Sequence, residues 1–291
     1  MFEFTGCLHL GEGYETIDEV RPSKTASFVA AGPEIALKEC GLNIVDAQQP
    51  VEMARAVKSS EEMKCINASL RATENGGAKL RAAIRPGMTE NELWSVLHQS
   101  VIAQNADYCE TRLLNAGDRT NPWFQETSGH VIGENELIAL DTDVVGCHGY
   151  YSDFSRTFHS GPGKPTAAQR ELYKVAHEQV LANLDILHAG MSFRDYADRA
   201  WDIPEKFYEN RYYLSAHGCG MTGEYPYLYH KGDFPDAGYD GEIVAGMTLC
   251  VESYIGEAGG KEGVKLEQQV LVTDAGIELL SRVPFEDDLL K

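Results

Sequence analysis

Hydrophobic positions along this chain follow two rhythms from Val51 onward. Spacings of three and four residues mark amphipathic helices, and spacings of two mark strands. Ser59-Ser60-Glu61-Glu62 opens a helical pattern that runs through Met63, Ile66 and Leu70 to Leu80 and closes at Pro86-Gly87. Thr89 and Glu92 form a capping box, each able to satisfy a free backbone N–H, ahead of Leu93, Val96, Leu97 and Val101. A strand-like segment at 110–115 and a polar loop at 117–124 follow. Thr166 to Gln169 opens another long helix through Leu172, Val175, Val180 and Leu184, and Ser192 to Asp195 opens the next. The remainder is strand-like at 212–216, 248–255 and 264–272. Residues 1–50 show little periodicity beyond strand-like pieces at 27–31 and 42–45, too little for an independent domain. They are expected to be a truncated domain or an arm, with 51–291 as the main domain.

The segment 136–158, ELIALDTDVVGCHGYYSDFSRTF, reads as two strands joined by a glycine-containing turn. Alternation puts Leu137, Ala139, Asp141 and Asp143 on one face of the first strand, and Asp153, Ser155 and Thr157 on one face of the second. Carboxylates in so apolar a strand are costly to bury unless paired or bound to a cation. The order of elements also repeats. RPGMT at 85–89 returns as HAGMS at 188–192, each closing one helix and capping the next. TRLLNAG is answered by LSAHGCG, ELIALDTD by MTLCVESY, and YYSDFSRTF by GVKLEQQVL. Overlaid, Asp141 meets Glu252 and Asp153 meets Glu267. A helix-helix-strand-strand-strand unit used twice predicts an α+β fold of two halves about a pseudo-twofold axis. Each half then brings two carboxylates to a shared centre.

Composition narrows the partners. A formal net charge of -20 over 291 residues argues against nucleic acid or an anionic membrane surface and favours cationic ligands. No apolar run approaches the roughly 18 residues of a membrane helix, and the first residues lack a basic region followed by an apolar run. Seven scattered cysteines without a CxxC pair fit reduced thiols, hence a cytoplasmic location.

The candidate metal ligands are Asp141, Asp143, Asp153, His217, Glu252 and Glu267. His217 is followed by Gly218 and Gly220, which leave open backbone beside it. Several carboxylates and one imidazole suit Fe, Mn, Co or Zn and suffice for two divalent ions, which would let the carboxylates stay ionised together. Lys265 shares a strand face with Glu267 and could steady the ligands from behind, or be an ordinary exposed lysine.

The order Asp, Asp, His, Glu, Glu on a duplicated helix–strand unit resembles the pita-bread fold of aminopeptidase P, prolidase, methionine aminopeptidase and creatinase, from about Val51 to the end of the chain. Those peptidases usually place one aspartate on the first strand. Here two candidates, Asp141 and Asp143, precede Asp153 by twelve and ten residues. With TRLLNAGDRTNPWFQE, HGCGM, EYP and KLEQQVL, that doubling is similar to the pita-bread dimethylsulfoniopropionate lyases. GCLHLGEGYETIDEVRPS resembles them too, before what reads as a large deletion. The resemblance implies an iron-dependent homodimer with a small-molecule substrate and the six ligands named above.

The family patterns also show what is missing. Pita-bread peptidases generally carry two further histidines flanking the ligand histidine, and those places hold Tyr213 and Glu224. A third histidine, expected near 121–126, is not there. In the lyases the resemblance implies an aspartate base just before the Glu-aromatic-Pro triplet, where this chain has Gly223; Glu224 is the candidate substitute. A sulfonium substrate further needs aromatic faces, and Trp123, Tyr212 and Tyr225 are the candidates, with Trp123 and Tyr212 the preferred pair. The leading expectation is a metal-dependent carbon–sulfur lyase, impaired at Gly223. An Xaa-Pro metallopeptidase and a non-catalytic pita-bread scaffold are the alternatives.

Overall fold

The computed structural model describes residues 31–43 and 47–291. The strand-like piece expected at 27–31 lies outside them but for Ala31, and that at 42–45 lies half outside. The chain divides between Arg55 and Ala56 into two compact units. The first contains α1 (Ala31–Glu39) and α2 (Gln48–Arg55), helices that the weak periodicity there does not announce.

The second unit, Ala56–Lys291, opens with the helix pair α3 (Ser60–Ala83) and α4 (Glu90–Ile102). Both start where the capping residues indicate. Glu62 N–H donates to Ser59 Oγ at 3.3 Å while Ser59 N–H donates to Glu62 Oε2 at 2.7 Å, and Thr89 and Glu92 do the same at 3.1 and 2.8 Å. Short strands follow: β1 (Tyr108–Cys109), β2 (Leu114–Ala116), β3 (Leu137–Asp141), β4 (Val144–Val145), β5 (Tyr151–Ser152) and β6 (Ser155–His159). Then come α5 (Ala167–Ile186), α6 (Phe193–Arg199), α7 (Glu205–Tyr208), β7 (Leu214–Cys219), β8 (Gly223–Tyr229), α8 (Phe234–Ala237), β9 (Thr248–Gly256), β10 (Gly263–Thr273), β11 (Gly276–Leu279) and α9 (Asp287–Leu290).

Sheet order preserves the repeat. β2-β3-β6 in the first half corresponds to β7-β9-β10 in the second, antiparallel throughout, with β8 and β11 added at the edges and β1-β4-β5 forming a separate small sheet. Each helix pair covers its own half. Ile138, Leu140 and Phe158 join Leu93, Leu97 and Val101 in one core, while Val251, Leu266 and Val270 join Tyr173, Val180 and Phe193 in the other. Strand alternation therefore sends Asp141, Cys250, Glu252, Lys265 and Glu267 to the face away from the helices. The halves meet at β6 and β10 through side chains. Thr157 Oγ1 donates to the Lys265 carbonyl at 2.9 Å and accepts from its N–H at 3.1 Å. Arg156, fully buried at this seam, donates to the carbonyls of Glu267 at 2.6 Å and Ser155 at 2.8 Å.

The expected two-strand hairpin at 136–158 is corrected. β3 stops at Asp141, and Asp143 sits in the left-handed region at φ 37°, which aspartate tolerates better than most residues. The chain then leaves for β4 and β5 before returning as β6. Asp143 thus reaches the same side as Asp141 through a turn, not through strand alternation.

Candidate metal centre

Six side chains from four strands and their connecting turns converge on the helix-free face. Asp141 ends β3, Asp143 follows in the turn, Asp153 precedes β6, His217 lies on β7, Glu252 on β9 and Glu267 on β10. None of the six is more than 8 % exposed. Glu252 and Glu267 are direct partners in the β9–β10 ladder. Ligand atoms of five of the six, joined by Cys250, form two overlapping groups, each with all members within 4.8 Å of one another: Asp141, Asp143 and Asp153, and Asp153, His217, Cys250 and Glu267; Glu252 is in neither group.

Hydrogen bonds hold some of the carboxylate oxygens and leave others without a donor. Lys265, completely buried, donates to Glu252 Oε2 at 2.7 Å and to Glu267 Oε2 at 3.0 Å, and its Nζ lies 3.7 Å from Asp141 Oδ2. The Ser155 hydroxyl lies 2.6 Å from Glu267 Oε2 and 2.9 Å from Asp141 Oδ1. Tyr151 O–H approaches Asp143 Oδ1 at 2.6 Å, and Thr111 bonds the other oxygen. The remaining oxygens, Glu252 Oε1, Glu267 Oε1 and Asp153 Oδ1, are buried with no hydrogen-bond donor. His217 Nε2 stands 3.4 Å from Glu267 Oε1 and 3.7 Å from Glu252 Oε1 and Asp153 Oδ2. Its Nδ1 lies 2.8 Å from the Gly218 carbonyl, which fixes the ring and aims Nε2 at the carboxylates.

The electrostatics match a cation site. Burial pushes Asp141 and Glu252 up to about 7 and Asp153 well above the carboxylate range, because five crowded carboxylates share one lysine. Burial works against an ionised Glu267 as well, but Lys265 and His217 outweigh it and hold its carboxyl low. Burial pulls His217 down, yet the close approach of Glu267 and the charges of Glu252 and Glu267 carry it up to about 10. Buried acceptor oxygens without donors around a backbone-anchored imidazole are what divalent ions satisfy, so the residues fit a metal centre.

The other candidates separate. Trp123 and Tyr212 come together with Leu113, Ala139 and Tyr254; Trp123 stacks on Tyr254 at 6.1 Å and Tyr212 lies 5.1 Å from Lys265 Nζ. Both therefore border the carboxylate cluster. Tyr225 instead packs in the helix-side core, 5.9 Å from both Phe193 and Tyr239. The cause is a register shift between β7 and β8, where His217 pairs with Tyr227 but Gly218 pairs with Glu224. The same alternation turns Glu224 away from His217. Its carboxylate pairs with Lys58 at 3.0 Å, both side chains at most 1 % exposed, and Gly220 leaves room for them. A Cβ at Gly223, by contrast, would sit 3.5 Å from the His217 ring. Position 223 thus lies beside the His217 ring, and Glu224 is turned to Lys58.

Sequence reasoning left Lys265 between two roles, and burial settles that it lies against the ligands. It missed Ser155, Tyr151 and Thr111 as partners of the carboxylates. Ser155 was legible from alternation with Asp153, whereas Tyr151 and Thr111 belong to elements brought in only by the departure of β4 and β5.

Two helix-covered halves closing on a carboxylate–imidazole cluster define a pita-bread metalloenzyme. The chain belongs to metallopeptidase family M24, a family of divalent-metal enzymes whose sequence profile matches residues 64–274. It is 35% identical over 260 residues to the dimethylsulfoniopropionate lyase DddP of Roseovarius nubinhibens, covering 88% of this chain and 58% of that protein. The DddP of Roseobacter denitrificans is likewise 35% identical over 262 residues, with the same coverage. The chain thus spans less than two thirds of the length of these relatives. Among solved structures, the Xaa-Pro dipeptidase from Bacillus anthracis superposes with a TM-score of 0.74 at 25% identity, over 90% of this chain and 72% of that one.

Proposed function

We propose that the protein is a metal-dependent lyase acting on dimethylsulfoniopropionate or a related small zwitterion, with two divalent ions, iron favoured, held by Asp141, Asp143, Asp153, His217, Glu252 and Glu267. The observation that carries this reading is the 35% identity to two dimethylsulfoniopropionate lyases over 88% of the chain. Bound ions would neutralise the carboxylates and hold the substrate carboxylate. Trp123 and Tyr212 border the cluster and offer aromatic faces to the sulfonium group. The reaction removes the proton alpha to the carboxylate as the carbon–sulfur bond breaks, releasing acrylate and dimethyl sulfide. With Gly223 where a base is expected and Glu224 bound to Lys58, proton removal is the weak step, and activity is expected to be low. Headspace detection of dimethyl sulfide from iron-loaded protein tests the reading; no release above buffer rejects it.

The structural likeness to an Xaa-Pro dipeptidase favours a second reading, metallopeptidase activity. Tyr213 and Glu224, at the two flanking histidine places, offer no imidazole to shuttle protons. Manganese-loaded protein is therefore expected to leave proline dipeptides intact. Within the lyase reading the protein acts as a homodimer in a reducing cytoplasm, which sedimentation of the purified chain and free-thiol titration would check. Among the described residues no helix is long and apolar enough to cross a membrane.

A further inference from the structure

We propose that Cys250 supplies a thiolate ligand to the ion held by Asp153, His217 and Glu267, so that the two metal positions differ in kind. This rests on the metal-centre reading above and extends the ligand set beyond the carboxylates and imidazole already named. Cys250 lies two residues before Glu252 on β9, which puts both side chains on the face away from the helices. It is also the cross-strand partner of His217 in the β7–β9 ladder. Its Sγ is one of four ligand atoms, with those of Asp153, His217 and Glu267, that all lie within 4.8 Å of one another.

Two of the other three members carry an unpartnered buried oxygen in this space, Asp153 Oδ1 and Glu267 Oε1. A tetrahedral set about 2.0–2.3 Å from its ion has neighbouring ligand atoms roughly 3.5 Å apart. His217 Nε2 is already at that spacing, 3.4 Å from Glu267 Oε1 and 3.7 Å from Asp153 Oδ2. The thiol's competing contacts are weak ones, to the Asp153 carbonyl at 3.6 Å and to the neighbouring Cys219 thiol. Coordination exchanges its proton, released to solvent, for a metal–sulfur bond.

The second group, Asp141, Asp143 and Asp153, offers oxygen alone. Asp153 belongs to both groups and would bridge them. A nitrogen–sulfur–oxygen set selects zinc, cobalt or ferrous iron, while an oxygen-only set suits a harder ion such as manganese or magnesium. Cys219, the neighbouring thiol on β7, belongs to neither group and accepts a bond from Gln269 Nε2 at 3.1 Å. It is the built-in control.

The test titrates the metal-free full chain with cobalt(II), following near-ultraviolet absorption and measuring bound cobalt by elemental analysis on the same samples. The expected result is a sulfur-to-cobalt charge-transfer band that is lost in Cys250→Ser with cobalt still bound and retained in Cys219→Ser. X-ray absorption at the zinc edge on the unaltered protein needs no variant and is expected to show a sulfur neighbour at about 2.3 Å. Bound metal with nitrogen and oxygen neighbours alone overturns the proposal, as does a band that survives Cys250→Ser. A chain that binds neither cobalt nor zinc overturns the metal-centre reading along with it. A sulfur-bound metal without dimethyl sulfide release leaves the Cys250 assignment standing and rejects only the lyase reading.

Discussion

Within the proposed lyase reading, Gly223→Asp restores the acid expected just before the Glu-aromatic-Pro triplet. A side chain at 223 lies against the ring of the ligand His217, since its Cβ would stand 3.5 Å from Cε1 and Nδ1, an ordinary van der Waals contact. The backbone there is not left-handed, so the substitution carries no strain from a positive φ. A positioned base is worth about 10²–10⁴ in rate, or roughly 2.7–5.5 kcal/mol of transition-state stabilisation. Dimethyl sulfide release from wild type and variant, matched for metal content and melting temperature, is expected to differ by that factor in kcat. A folded, metal-replete Gly223→Asp protein no faster than wild type would refute both the placement of position 223 and the account of why activity is low.

Further outcomes follow from the same geometry. Lys58→Met removes the cation paired with the buried Glu224 carboxylate and is expected to destabilise the fold by about 3–5 kcal/mol in denaturant melts; Lys58→Met/Glu224→Gln should recover part of that loss, and an unchanged melting midpoint in the single variant would contradict the ion pair. Ser155→Ala removes the hydroxyl shared by Asp141 and Glu267 and is expected to weaken metal binding by about 10–100-fold in chelator competition, an outcome that unaltered affinity would exclude. The metal-free protein is expected to lose thermal stability from about pH 6.5 to 8.5. Asp141 and Glu252, raised to about 7, hold protons in the folded state that the unfolded chain has already released, so their contribution falls with rising pH until they ionise near 7. His217, raised to about 10, holds a proton that the unfolded chain loses near 6.5, so its contribution also declines across this window. Metal-loaded protein should show a flatter profile, and a metal-free melting temperature that is level or rises with pH would count against the clustered charges.

The sequence by itself determined the helices, their caps and the duplicated order of elements, because capping boxes and helical periodicity are local properties that Ser59–Glu62, Thr89–Glu92 and Thr166–Gln169 carry in a few adjacent residues. It also picked out the six carboxylate and imidazole side chains that converge, because charged groups stand out within apolar strands and recur in both halves. Which neighbours those side chains meet was decided only by the tertiary structure. Lys265 could be read as an exposed strand lysine until β6 packed against its own strand β10 and buried it, and Asp143 reaches Asp141 by a left-handed turn that no alternation rule anticipates. Glu224 and Gly223 adjoin in the chain, yet the β7–β8 register sends one to a buried lysine and opens the other toward His217. A strand's two faces can be counted from sequence, but which face meets the centre depends on register. Register is set by packing between segments far apart in the chain.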